Sequence, residues 1–192
     1  MRILDVSGPA LALGSSQSID DVDLNLASTL NVDVFHRQSG GGAVLLDPGA
    51  QVWIDVVIAR SDPLWCDDVS LASQWLGEVW VEALHAVGID GVIHQGAMVT
   101  NELSSVVCFA GLAAGEVTVN GAKVVGISQR RTRAGARFQC SVPLQWDAQR
   151  HAALLAPGIA RRGGEIDGVK VHPATLGDPV FDLRDAFLEA LP

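Results

Sequence analysis

The chain has 192 residues, 48% hydrophobic and 18% charged, which is enough apolar material for a sizeable core and too much for a disordered chain. Thirteen Lys and Arg against 22 Asp and Glu give a formal net charge of -9, which argues against a general polyphosphate or nucleic-acid binder. The charge is uneven: residues 1–100 hold three basic and thirteen acidic side chains, residues 101–192 hold ten and nine, so an anion site belongs in the second half.

In chain order, residues 2–6 and 10–13 read as short strands divided by the turn signal Ser7-Gly8-Pro9. Ser18 followed three residues later by Asp21 is a helix-entry capping arrangement, and Ile19, Val22, Leu26 and Leu30 then share one helical face. Strands are predicted at Val32–His36, Ala43–Leu46 and Val52–Ala59. The longest helix is predicted to start at Asp67 or Asp68 and to end at Gly88. Its apolar stripe includes Leu76, Val79, Ala83 and Leu84, with Trp75 and Trp80 as core packing. Asn120-Gly121 between β-branched runs marks a type I′ hairpin, and another strand covers Ala136–Leu144. Residues 156–178 are Gly- and Pro-rich, with a short strand at 168–172, and a last helix fits 180–191. Meandering strands with one long helix across them indicate an α+β fold on a mostly antiparallel or mixed sheet.

No apolar run approaches the ~20 residues that span a bilayer, and Asp5 interrupts the start before a signal peptide can form, so no membrane contact is expected. Cys66, Cys108 and Cys140 form no Cys-x-x-Cys pair, and the histidines form no local ligand motif. A reducing cytosol and no tightly bound metal are the expectations.

Two features can carry chemistry. His36-Arg37-Gln38-Ser39-Gly40-Gly41-Gly42-Ala43-Val44 joins two strands, and its glycines expose backbone N–H groups. It is either a plain turn or a ligand cradle; the following strand excludes a P-loop or a dinucleotide fingerprint. Lys123 opens a segment ending at Arg137 with five basic residues and no acid, which is either a solvated loop or an anion or acidic-partner surface.

Arg37-Gln-Ser-Gly-Gly-Gly-Ala-Val, Cys108-Phe109, Glu116, Gly121-Ala-Lys123-Val-Val-Gly126-Ile-Ser-Gln129-Arg130 and Gln139 together resemble the lipoate-protein ligase and octanoyltransferase family. Leu13-Gly14-Ser15-Ser16-Gln17 fits the same pattern, and the resemblance covers roughly residues 9–146. It implies one biotin/lipoate ligase-like catalytic domain over 1–192, related to the class II aminoacyl-tRNA synthetase fold and without an accessory C-terminal domain. That fold is α+β, a mixed, largely antiparallel sheet flanked by helices.

The implied reaction attaches a lipoyl or octanoyl group to a lysine of a carrier domain of a 2-oxo-acid dehydrogenase or glycine-cleavage protein. A ligase would use lipoate, ATP and Mg²⁺ through lipoyl-adenylate, which is the expected route. A transferase would take octanoyl from acyl carrier protein, with Cys108 as acyl-enzyme nucleophile; a non-catalytic lipoyl-binding relative is the third alternative. The resemblance places Arg37, Ser39, Gly40, Gly41, Gly42, Ala43, Val44, Gly126, Ser128 and Gln129 along the substrate, Lys123 at the acyl carbonyl, and Arg130, Arg131 and Arg133 at a phosphate or the carrier. The chain departs from the family at Leu45-Leu46-Asp47, where relatives carry a histidine, and at Gln139-Cys140-Ser141, where they read Gln-His-Gly.

Overall fold

The computed structural model describes residues 1–156, 169–175 and 182–192. Six strands form one antiparallel sheet in the order β1 (Arg2–Leu4), β5 (Gln51–Ala59), β9 (Gly135–Pro143), β8 (Ala122–Arg131), β7 (Val117–Val119) and β6 (Val92–Ile93). A second sheet sets β2 (Ala10–Leu13) between β3 (Asp33–His36) and β4 (Val44–Leu46). There β2 and β3 run parallel and β2 and β4 antiparallel. The helices are α1 (Leu24–Thr29), α2 (Gln74–Ala86), α3 (Ala148–Ala153) and α4 (Leu183–Glu189). This is the predicted α+β fold, with the parallel strand pair β2–β3 in the smaller sheet.

The main core lies between α2, α4 and the large sheet. Trp80 is fully buried and stacks on Phe187 at 4.3 Å between ring centroids, while Trp75 meets Phe138 edge-on at 6.1 Å. The stripe Leu76, Val79, Trp80, Ala83 and Leu84 is buried as its spacing predicts. Asn120 and Gly121 take φ 51° and 77°, the left-handed pair that a type I′ hairpin needs.

Two predicted helices are corrected. The capping box at Ser18 forms, but it opens only a 3₁₀ turn over Ile19–Asp21, and Asp23 caps α1 separately. Ile19 and Leu30 are therefore exposed, so the single apolar face is split. The longest helix starts at Gln74 rather than at Asp67 or Asp68, because both aspartates serve the preceding turns. Asp68 accepts from the Ser70 backbone and hydroxyl, and Asp67 accepts from Trp65 and Arg60. The strand predicted at 168–172 reduces, in its described part, to a parallel bridge between Val171 and Lys123, and 176–181 lies outside the described residues.

His151 on α3 is 1% exposed, packs 5.5 Å from Trp146, and neither ring nitrogen has a hydrogen-bond partner among the described residues. Burial pushes its pKa down from 6.5 to about 4. Below pH 6.5 the unfolded chain takes up a proton that the folded chain refuses. The stabilising effect is therefore complete above pH 6.5 and is lost as pH falls toward 4. The unfolding free energy from urea titrations is expected to drop between pH 7 and pH 5 by an amount on the order of 2 kcal/mol, and His151→Leu should flatten that limb.

Candidate active site

The glycine loop closes on the chain itself. A Cβ at Gly14 would stand 1.8 Å from the Gly41 carbonyl oxygen, and one at Gly42 would stand 2.4 Å from Val107 N and 2.6 Å from Val106 C. These contacts let three backbones come together: Ala43 N–H donates to the Val106 carbonyl at 2.7 Å, and Cys108 N–H donates to the Ala43 carbonyl at 3.0 Å. Gln17 pins both sides, accepting from Gly14 N and donating to the Val106 carbonyl. The cradle thus holds residues 106–108 and with them Cys108, which opens a 3₁₀ turn ending at Ala110.

Arg37, 7% exposed, folds back under the loop, and its Nη2 donates to the carbonyls of Gly40 at 2.6 Å and Gly42 at 2.9 Å. The same nitrogen lies 3.7 Å from Cys108 Sγ, and Arg37 Nε is buried without a partner among the described residues. Cys108 is half-buried, an electropositive and partly accessible setting of the kind that reactive cysteines occupy. Cys140 differs: burial raises its thiol to about 12 and leaves it inert.

Cys108 packs against Ala10, Ala12, Val44, Leu46 and Trp53. Most of that cluster, with Arg37 and Gln139, lines a cavity of about 640 Å³, a size usual for small-molecule sites. Trp53 Nε1 donates to buried Asp55 at 3.0 Å, and Arg137, also on the cavity wall, binds the other Asp55 oxygen through Nε at 2.9 Å and through Nη2. Ser39, 1% exposed, donates to Gln139 Oε1 at 2.8 Å and accepts from Ser128 at 3.1 Å. The cavity wall mixes apolar side chains with polar ones, Arg37, Arg137 and Gln139 among them, and Cys108 packs on the cluster behind that wall.

Lys123 reaches this region because the register slips between Val117 and Thr118, leaving Val124 as the extra residue on β8. Such a bulge breaks the two-residue alternation and turns Lys123 to the side of Gly126. A Cβ at Gly126 would lie 3.3 Å from Lys123 Cε. The ammonium is nearly fully buried and donates to the carbonyls of Gly111 at 2.9 Å and Cys108 at 3.3 Å, and to Glu116 at 2.7 Å. It sits behind the Cys108 turn, and its three N–H donors match these three acceptors.

The structure therefore brings together Arg37, Ser39, Gly40–Gly42, Ala43, Val44, Cys108, Lys123, Gly126 and Ser128. Gln129 points away and donates to the Val69 carbonyl at 2.7 Å. The basic strip is divided by strand alternation. Arg131 binds the Cys66 carbonyl at 2.7 Å and stacks on Trp65 at 4.1 Å, whereas Arg130 and Arg133 are exposed. Among the described residues no three His, Cys, Asp or Glu side chains gather as metal ligands, and no helix is long and apolar enough to cross a membrane. Asp55, Gln17 and Glu116 join the site beyond the residues expected from sequence. Gln17 and Glu116 lie within the family-like motifs, and Asp55 is marked in the sequence as the one charge in the apolar strand Val52–Ala59.

The model of the family described as "Lipoyl protein ligase A/B catalytic domain" matches residues 2–179. The chain is 30% identical over 147 residues to the octanoyltransferase LipM of Clostridioides difficile (strain 630), covering 76% of this chain and 54% of that protein. It is 29% identical over 160 residues to the octanoyltransferase LipM of Kyrpidia tusciae, covering 81% and 58%. It spans little more than half the length of these curated relatives. Among solved structures, the bi-partite lipoate protein ligase of Thermoplasma acidophilum, described with its E2 lipoyl domain, superposes with a TM-score of 0.70 at 17% identity. That match covers 95% of this chain and 66% of the other. Lipoate-protein ligase A bound with ATP gives 0.68 at 17% identity over 95% and 67%. These two structures share the fold.

Proposed function

The chain belongs to the lipoyl protein ligase A/B catalytic domain family, and from that premise we propose that it transfers an octanoyl or lipoyl group to a carrier-domain lysine through Cys108. The observation that carries the reading is the placement of Cys108 Sγ beside Arg37 Nη2, on the cluster that walls the apolar cavity.

The acyl chain lies in the cavity, and its thioester carbonyl meets the sulfur. Cys108 attacks as thiolate, the carbon–sulfur bond to the donor breaks, and the donor thiol leaves with the proton that Cys108 gave up. The lysine amine of the carrier then attacks the Cys108 thioester, an amide forms, and the amine proton returns to the sulfur. Arg37 Nε, a buried donor without a partner among the described residues, is the group assigned to the developing oxyanion. Ser39, Ser128 and Gln139 keep the adjoining wall polar and rigid.

The two octanoyltransferase relatives support this route over an adenylate. So does the commitment of Arg131 to Cys66 and Trp65, which thins the basic strip as a phosphate site. Exposed Arg130 and Arg133 suit an acidic carrier domain of a 2-oxo-acid dehydrogenase or glycine-cleavage protein. Acyl carrier protein is the donor that this route implies.

The test is a donor comparison scored on a lipoyl domain. Octanoyl thioester on acyl carrier protein is expected to modify the domain without ATP. Modification that requires ATP, Mg²⁺ and lipoate and ignores the thioester would replace this route with adenylation.

A further inference from the structure

Glu116 carries a buried carboxylate that accepts from three separate donors, and no step above assigns it a task. Its side chain is 5% exposed, as is that of Lys123. Oε2 accepts from Ala113 N at 2.7 Å and from Lys123 Nζ at 2.7 Å, and Oε1 accepts from Ile127 N at 2.9 Å. One carboxylate thus joins the loop before β7, the strand β8 and the ammonium. A buried ion pair persists only when further hydrogen bonds satisfy both partners, and here both are satisfied. The other two Lys123 donors close on the first and last carbonyls of the turn running from Cys108 to Gly111. The Phe109 ring lies 5.2 Å from the ammonium, so the cation also packs on the middle of that turn.

We infer that Glu116 is a positioning residue for acyl transfer: by holding the Lys123 ammonium on the carbonyls of Cys108 and Gly111, it fixes where the Cys108 sulfur stands. This rests on the reading that Cys108 carries the acyl group. The glycine loop holds Cys108 from the front through its N–H, and the Glu116–Lys123 pair holds it from behind through its carbonyl. With the Glu116 charge removed, Lys123 is left as a buried cation that must seek water, and it takes the turn with it. A shift of an ångström in a nucleophile is enough to cost roughly a hundredfold in rate.

The experiment measures kcat and KM for the octanoyl thioester, together with the rate of Cys108 alkylation by iodoacetamide in the absence of donor. The variants are Glu116→Gln, Glu116→Asp, Lys123→Met and the double variant Glu116→Gln/Lys123→Met. In Glu116→Gln, kcat is expected to fall roughly tenfold to a hundredfold with KM within about twofold, and Cys108 alkylation is expected to change by a similar factor. Glu116→Asp, which keeps the charge, should recover part of both. The double variant should be no slower than Lys123→Met alone, because Glu116 acts through Lys123. Losses that multiply in the double variant overturn the inference. So does a lowered melting temperature with wild-type kcat and alkylation. Should Glu116→Gln not fold, the comparison of Glu116→Asp with Lys123→Met decides: wild-type alkylation in both contradicts the inference. Alkylation needs no acyl donor, so it reports on Glu116 even where the acyl-transfer reading itself fails.

Discussion

Cys108→Ala is expected to lower octanoyl transfer by at least roughly 10³-fold while the protein keeps its fold. The variant removes a half-buried sulfur that faces a guanidinium directly, 3.7 Å from Arg37 Nη2; Cys140 is fully buried, and at half-buried Cys66 the neighbouring Arg131 is bound to the carbonyl instead of facing the sulfur. The cost to stability should stay below about 1 kcal/mol, because a half-buried cysteine packs as a small hydrophobe and Ala keeps its Cβ. The Cys108 N–H to Ala43 bond is made by the backbone and survives the change. Circular dichroism and melting should therefore match the wild type while lipoyl-domain modification from the thioester donor disappears. Retained transfer would remove the thiol from the reaction and leave the cavity with a different chemistry.

The second large effect is expected at Gly42. Gly42→Ala places a Cβ within 2.4–2.6 Å of the backbone of Val106 and Val107, where no flexible side chain can yield. Either the glycine loop or the 106–108 segment must move, and both outcomes separate Arg37 from Cys108. Stability is expected to fall by about 1–3 kcal/mol and kcat by roughly a hundredfold. Gly40→Ala serves as the control, since nothing lies within 4 Å of a Cβ there, and it should cost little in either measurement. Equal behaviour of the two variants would mean that the loop does not brace the cysteine.

That pair of glycines shows what the sequence could and could not convey. Three consecutive glycines announced a close backbone approach, and the open alternatives were a plain turn or a ligand cradle. What approaches is the chain's own segment 106–108, more than 60 residues away in sequence, and no local pattern encodes such a contact. The hairpin at Asn120-Gly121 and the α2 stripe were legible because turn chemistry and helical period are local. The start of α2 was not, since Asp67 and Asp68 could cap a helix equally well and are instead used by Trp65, Arg60 and Ser70.

In the sequence, Lys123 stands out as a candidate site residue through the motif around it and as the start of the basic segment. Its orientation depends on the bulge at Val124, which appears only when β7 and β8 pair. The five basic residues between Lys123 and Arg137 looked like one surface in sequence. In the fold, alternation and partner choice disperse them to Glu116, to the exterior, to Trp65 and to Asp55.

The most direct measurement of the central claim is the mass of the protein after brief exposure to an octanoyl thioester donor without ATP and without an acceptor domain. One octanoyl group is expected on the peptide containing Cys108. It should be released by hydroxylamine and passed to the lipoyl-domain lysine when the acceptor is added. An unmodified Cys108, with the acceptor nonetheless acylated in the complete reaction, would contradict the account.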